Sequence, residues 1–151
     1  MSLVSSHIVD WLKSYCDSSK LNGFVVGISG GIDSAVTSIL CAQTGKRVVL
    51  LNMPIRQHES EYKLAQLHIS DLKNRYPNVD FHELDLSKVF SSFENVMPFS
   101  IETNLLSMAN SRARLRMMTL YAVGQANGLL VAGTGNKVED FGIGFYTKYG
   151  D

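Results

Sequence analysis

Gly27-Ile28-Ser29-Gly30-Gly31-Ile32-Asp33-Ser34 offers two hydroxyls and a carboxylate on a glycine-rich turn between an apolar run and a stretch of helix formers. Such a turn can cradle phosphate. A helix start presents unpaired N–H groups and a positive dipole end to an anion, and glycine lets the main chain approach it closely. Asp33 is of a type that holds a divalent cation, and Ser29 and Ser34 of a type that bonds phosphate oxygens. A second glycine turn, Gly133-Thr134-Gly135, follows the apolar run Leu129-Leu130-Val131-Ala132, and Glu139 lies five residues beyond Thr134. Glu139 is the second candidate oxygen ligand.

Three other loop types compete for these residues. A Walker loop requires Gly-x-x-x-x-Gly-Lys-Ser/Thr, and no lysine follows the first glycines. A dinucleotide fingerprint needs a third glycine after Gly133-Thr134-Gly135, where Val138 stands instead. Gly27-Ile28-Ser29-Gly30-Gly31 does satisfy Gly-x-Ser-x-Gly, which would make Ser29 the nucleophile of a hydrolase. That reading stays open, although it gives no work to Asp33 and Ser34.

The elements that must position these residues follow from periodicity. Ile8, Trp11, Leu12 and Tyr15 predict an amphipathic first helix facing the core. Phe24 to Ile28, Val48 to Leu51, Val79 to Leu84 and Leu129 to Ala132 read as strands. Glu59 to Arg75 reads as a helix with Leu64, Ala65, Leu67, His68 and Leu72 inward, Ser91 to Thr103 as a loop with short turns, and Leu105 to Asn127 as a long helix. Strands alternating with helices predict an α/β fold of three layers, α/β/α, around an open, doubly wound parallel sheet. Ligands of such sheets sit at the carboxyl ends of the strands, where both glycine turns fall.

Composition narrows the ligand. With 14 basic and 14 acidic residues in 151, the chain has no global field for nucleic acid or an anionic membrane, so any anion site is local. Cys16 and Cys41 lack metal-type pairing, and His7, His58, His68 and His82 lack ligand spacing. Neither a signal peptide nor a membrane-length apolar run is present, which predicts a cytoplasmic protein.

Ser29-Gly30-Gly31-Ile32-Asp33-Ser34 resembles the pyrophosphate loop of the N-type ATP pyrophosphatases. Three further segments, Asn110 to Met118, Gly133 to Glu139 and Gly144 to Asp151, narrow the resemblance to the ammonia-dependent NAD synthetases, with their Rossmann-like, adenine nucleotide alpha-hydrolase-like fold. The resemblance implies a ligase that amidates deamido-NAD with ammonia, using ATP and Mg2+ and releasing AMP and pyrophosphate. It implies ATP contacts from Gly27, Ile28, Ser29, Gly30, Gly31, Ile32, Asp33, Ser34 and Thr134, Mg2+ ligation by Asp33 and Glu139, and deamido-NAD contacts from Arg114 and Lys148. It also implies a homodimer with substrate sites at the subunit interface.

Residues 1–151 are read as one ATP-pyrophosphatase domain. Because Tyr149-Gly150-Asp151 stops inside a motif that continues in the family, the chain is expected to be truncated at its carboxyl end. Beside the ligase, two readings remain: the Ser29 hydrolase, and a nucleotide-binding module without turnover in this shortened chain.

Overall fold

The computed structural model describes residues 2–144 and 146–150; Met1, Phe145 and Asp151, the last two belonging to the final motif, lie outside the described residues. Four parallel strands, β1 (Gly23–Ile28), β2 (Arg47–Asn52), β3 (Val79–Glu83) and β4 (Leu130–Val131), form one sheet in the order β3-β2-β1-β4. The helices are α1 (Leu3–Ser18), α2 (Ile32–Gln43), α3 (Glu59–Arg75), α4 (Ser87–Asn95) and α5 (Leu105–Asn127), with a π-helical turn at Val138–Ile143.

Alternation along the strands divides the core into layers, because successive side chains leave opposite faces. Phe24, Val26, Val48 and Leu50 pack with Cys16, Cys41, Ala65, Ile69 and Leu72 from α1, α2 and α3. Val25, Val49, Leu51 and Met53 face Leu120 of α5 and Leu129. The expected three-layer, doubly wound architecture is the observed one. Strand β1 lies between β2 and β4, so the turns that leave β1 and β4 open side by side at the switch point.

Three local expectations need correction. In α1 the buried residues are Val9 and Cys16, with Leu12 packed beside them, whereas Trp11 and Tyr15 stack on each other outside, ring centroids 5.4 Å apart. Val9, Leu12 and Cys16 repeat at helical spacing one residue out of step with the aromatic set, and the smaller side chains are the ones packed against the core. In α3, Ala65 and Leu72 are buried and His68 is half-buried as expected, Ile69 joins them, and Leu64 and Leu67 are exposed instead. The expected loop from Ser91 begins inside α4, whose Phe90 forms a small core with Ile55 and Met108. Asp85 accepts from the Ser87 N–H at 2.9 Å just before that helix, and hydrogen bonding from the Ser87 hydroxyl first and its N–H second holds the Asp85 carboxyl below the usual range.

Both cysteines are free and buried, and burial pushes the Cys41 thiol up to about 12, which leaves it inert. His68 is half-buried with its Nε2 2.8 Å from the Ser38 hydroxyl, which is also 2.9 Å from the Ala35 carbonyl and donates to it. Burial lowers the His68 pKa below 6.5, Asp71 opposes that shift, and Arg75 adds to it. The unfolded chain therefore binds the proton more readily, so this contribution to stability is complete above about pH 6.5 and is lost as pH falls through the lower folded value. Thermal unfolding between pH 5 and 7 should show a shallower pH dependence in His68→Gln than in the parent chain. Equal slopes would remove His68 as the cause.

Candidate active site

The first glycine turn is braced from within. Ser34, 3% exposed, donates to the Gly31 carbonyl at 3.1 Å and accepts from the Ser29 N–H at 3.3 Å. Its single proton being used, the 3.1 Å contact between the two hydroxyls has Ser29 as donor; the Ser29 oxygen in turn accepts from the Gly31 N–H at 3.2 Å. Gln57 clamps the turn from β2's side, donating to the Ser29 carbonyl at 2.8 Å. Gly30 has φ +89°, in the region that favours glycine, whereas Gly31 has φ −87° and needs no such freedom. Of the two glycines, one is therefore required by conformation.

This arrangement removes the hydrolase reading. Among the described residues no imidazole bonds the Ser29 hydroxyl, and His82 stands exposed on β3. A nucleophilic serine needs a base within hydrogen-bond reach.

A cavity of about 860 Å3 opens above the turn. Gly27, Ile28, Ser29, Gly30 and Gly31 form one wall, and Gly133 and Thr134 arrive from the end of β4. The two glycine turns thus meet across one space. Asp33 lies in the first turn of α2, partly buried, and Ile32 beside it is exposed. Asn136 links Asp33 to Glu139: its Nδ2 donates to Asp33 Oδ2 at 3.4 Å, and its Oδ1 accepts from the Val138 and Glu139 N–H groups at 3.1 and 3.0 Å. Glu139 itself is exposed, on the π-helical turn, a form that is frequent at functional sites.

The described residues contain no cluster of three or more Asp, Glu, His or Cys able to hold a metal by themselves. Two carboxylates suit Mg2+, which keeps waters and takes phosphate oxygens to complete its octahedron. The donor set fits that ion and would be a poor cage for zinc.

The arginines of α5 separate as helical geometry requires. Arg114 is exposed and its Nε donates to the Lys148 carbonyl at 3.1 Å, so the two residues expected at one substrate are neighbours. The Lys148 ammonium lies 5.2 Å from the Tyr149 ring centroid. Thr147 donates to Asn110 Oδ1 at 2.9 Å, tying this segment to α5. A second cavity of about 720 Å3 is lined by Asp140, Thr147, Lys148 and Tyr149, and Gly133 borders both cavities. Arg112 and Arg116 turn the other way, into the first cavity.

Sequence reasoning assigned no role to Gln57, Asn136, Arg112 or Arg116. For Asn136 a signal existed, an amide side chain two and three residues ahead of helical N–H groups, which is how a capping residue acts. The Gln57 clamp spans 28 residues and carries no local signal.

Comparison with known proteins agrees with this geometry. The family described as NAD synthase matches residues 4–151. The NH(3)-dependent NAD(+) synthetase of Mesoplasma florum is 35% identical over 147 residues, covering 96% of this chain and 58% of that protein. That of Alkaliphilus metalliredigens is 38% identical over 148 residues, covering 95% and 60%. Among solved structures, the NMN synthetase from Francisella tularensis superposes with a TM-score of 0.86 at 33% identity, covering 97% of this chain and 58% of that one. The NH3-dependent NAD synthetase from Campylobacter jejuni, in complex with the nitrate ion, gives 0.86 at 30%, covering 97% and 61%. The chain spans less than two thirds of the length of the curated relatives it matches, 58% and 60% of these two. A family match from residue 4 to residue 151, on a sheet that carries two facing glycine turns, shows that the chain belongs to the NAD synthase family.

Proposed function

We propose that the whole protein amidates the nicotinate carboxylate of deamido-NAD with ammonia, at the expense of ATP, to give NAD, AMP and pyrophosphate. The observation that carries this is the convergence of the glycine turn, Gly27 to Gly31, with Thr134 on one cavity, while Arg114 meets Lys148 at the border of the second. One site suits a nucleotide's phosphates, the other the anionic dinucleotide. The substrate carboxylate attacks the α-phosphorus, pyrophosphate leaves, and ammonia then displaces AMP from the acyl adenylate. No side-chain nucleophile is required.

The chain's part is alignment and charge. Reactants held in line gain up to about 7–11 kcal/mol in model systems. Backbone N–H groups at the start of α2, with Ser29 and Thr134, would orient the ATP phosphates, and Asp33 and Glu139 would hold Mg2+. When bound, that ion neutralises charge on the departing pyrophosphate.

Leu105, Leu106, Met118 and Tyr121 are exposed apolar residues of α5, and pairing of two copies through this helix would put the substrate site at a homodimer interface. No helix among the described residues is long and apolar enough to cross a membrane, and free buried cysteines suit a reducing cytoplasm.

The test is to incubate the full-length protein with ATP, Mg2+, ammonia and deamido-NAD and to measure NAD, AMP and pyrophosphate. Nicotinate mononucleotide is run in parallel, because a structurally similar protein is an NMN synthetase. Arg114→Ala should raise the KM for the nicotinate substrate about tenfold or more, the loss of a charge-assisted contact, and leave the KM for ATP unchanged. ATP binding without any amide product would reduce the reading to a nucleotide-binding module, and an unchanged substrate KM in Arg114→Ala would remove that residue from the site.

A further inference from the structure

Arg112 and Arg116 lie four residues apart on α5, so they share one helix face, and that face looks into the 860 Å3 cavity opposite Ser29, Gly30 and Gly31. Arg116 is anchored, its Nε donating to the Met53 carbonyl at 3.0 Å at the end of β2. The Arg112 guanidinium lies 5.7 Å from the Phe90 ring centroid. Both side chains are therefore held in place.

Neither is neutralised. Ion pairs among the described residues join Lys46 to Asp17, Arg47 to Asp80, Arg56 to Glu94, Lys63 to Glu59 and Arg75 to Asp71, and none involves these two arginines. Glu61 also borders the cavity, and its carboxylate forms no ion pair with either. Burial lowers the Arg116 pKa first, the like charge of Arg112 adds to that, and Glu61 only partly offsets it. A partly buried cation beside a second cation is costly unless an anion completes it. A guanidinium offers a planar fork that fits phosphate oxygens in pairs.

We propose that Arg112 and Arg116 form a guanidinium wall that takes the phosphate chain of the nucleotide seated on the glycine turn, Arg116 supplying the direct contact and Arg112 the reinforcing charge. The ligand class is a nucleoside polyphosphate. The inference rests on the ATP site proposed above and adds to it the wall facing the turn. It also gives α5 two cationic edges with separate work, Arg112 and Arg116 toward the polyphosphate and Arg114 with Lys148 toward the nicotinate substrate.

The experiment uses the full-length protein and titration calorimetry with ATP, with pyrophosphate and with adenosine. Arg116→Gln keeps a donor for the Met53 carbonyl and deletes the charge; Arg116→Lys keeps the charge and loses the fork. Arg116→Gln should weaken ATP and pyrophosphate about 10- to 100-fold, leave adenosine unchanged and flatten the salt dependence of ATP binding, with Arg116→Lys recovering part of the loss. Arg112→Gln should show the same pattern more weakly, and it carries the test if Arg116→Gln unfolds. Unchanged ATP and pyrophosphate affinities would overturn the wall, and so would an equal loss for adenosine, which marks a structural role. A parent protein that binds no ATP would instead overturn the nucleotide site itself, and the wall with it.

Discussion

Asp33→Asn and Glu139→Gln, each placed in the full-length protein, are expected to lower turnover about 100- to 1000-fold while shifting the unfolding midpoint by a few degrees at most. The first half follows from electrostatics, since removing one preorganised group that stabilises developing charge typically has an effect of about that size. The second half follows from the structure. Asp33 receives one long hydrogen bond, 3.4 Å from Asn136, and otherwise favours folding through its place in the first turn of α2, a contribution of about 0.3–1 kcal/mol. Glu139 is exposed, and the bonds that order its turn run from backbone N–H groups to Asn136 rather than through its carboxylate. Both replacements keep side-chain shape.

The measurement is turnover as a function of Mg2+ concentration, with Mn2+ binding followed directly by the spectrum of the free ion. Loss of turnover together with weakened Mn2+ binding supports ligation. Full turnover with an unchanged metal dependence would sink the assignment of either carboxylate. A third outcome, lost turnover with intact metal binding, would move the residue from the ion to the substrate phosphates.

How far these positions were legible depends on the range of the interaction that fixes them. The strand–turn–helix unit from Phe24 to Cys41 is local: an apolar run, glycines and helix formers follow one another within 18 residues, and β1 and α2 appear where expected. The extents of α3 and α5 match for the same reason, because Pro77 and Gly128 lie just beyond their ends. The inward face of α1 and α3 was legible only in part: Leu12, Ala65, His68 and Leu72 turn inward as expected, whereas Trp11, Tyr15, Leu64 and Leu67 do not. Apolar residues on each helix repeat along two adjacent stripes, and the choice between them is made by the sheet and neighbouring helices, which no window along the chain contains. The short α4 escaped although Val89, Phe90 and Phe93 fall at helical spacing, because its nine residues straddle the start of the stretch read as a loop and end shortly before Pro98.

The site divides in the same way. Ser29 to Ser34 and Gly133 to Glu139 are contiguous strings, so their chemistry was readable, and the order β3-β2-β1-β4 then brings them together. Helical spacing alone sets Arg112 and Arg116 on one face of α5 and Arg114 on another, but only packing shows which of them faces the glycine turn. The residues facing the turn are Arg112 and Arg116, the latter fixed through Met53, 63 positions away. Hydroxyl bracing was equally hidden: Ser34 has the composition of a phosphate contact, yet in this geometry its hydroxyl is buried inside the turn it stabilises.

Gly30→Ala should be the most damaging single-methyl change in the turn, and the reason is contact rather than conformation alone. At φ +89° an alanine carries strain of about 1–2 kcal/mol. Its Cβ would also sit 2.4 Å from the Glu61 carbonyl oxygen, a backbone atom in the first turn of α3 that has no rotamer to give. Relief requires the turn to leave α3 or the start of α3 to leave the sheet, and either movement disturbs the Gln57 clamp on the Ser29 carbonyl. Two neighbours in kind separate the causes. Gly45 has φ +74° with nothing within 4 Å of an added Cβ, so Gly45→Ala isolates strain. Gly31 has φ −87° and its added Cβ would approach only the Ser29 hydroxyl, at 3.3 Å, so Gly31→Ala isolates mild crowding beside the same ligand surface. Thermal unfolding should rank the three losses as Gly30→Ala above Gly45→Ala above Gly31→Ala, with Gly30→Ala about 2–4 kcal/mol, or roughly 5–10 °C for a chain of this size. In the full-length protein Gly30→Ala should also abolish measurable ATP binding, and Gly31→Ala should retain it within about tenfold, the scale of one weakened hydrogen bond. If Gly30→Ala were no worse than Gly45→Ala, the packing of the turn against α3 would not be what fixes the phosphate cradle, and the clamp from Gln57 would have to do so alone.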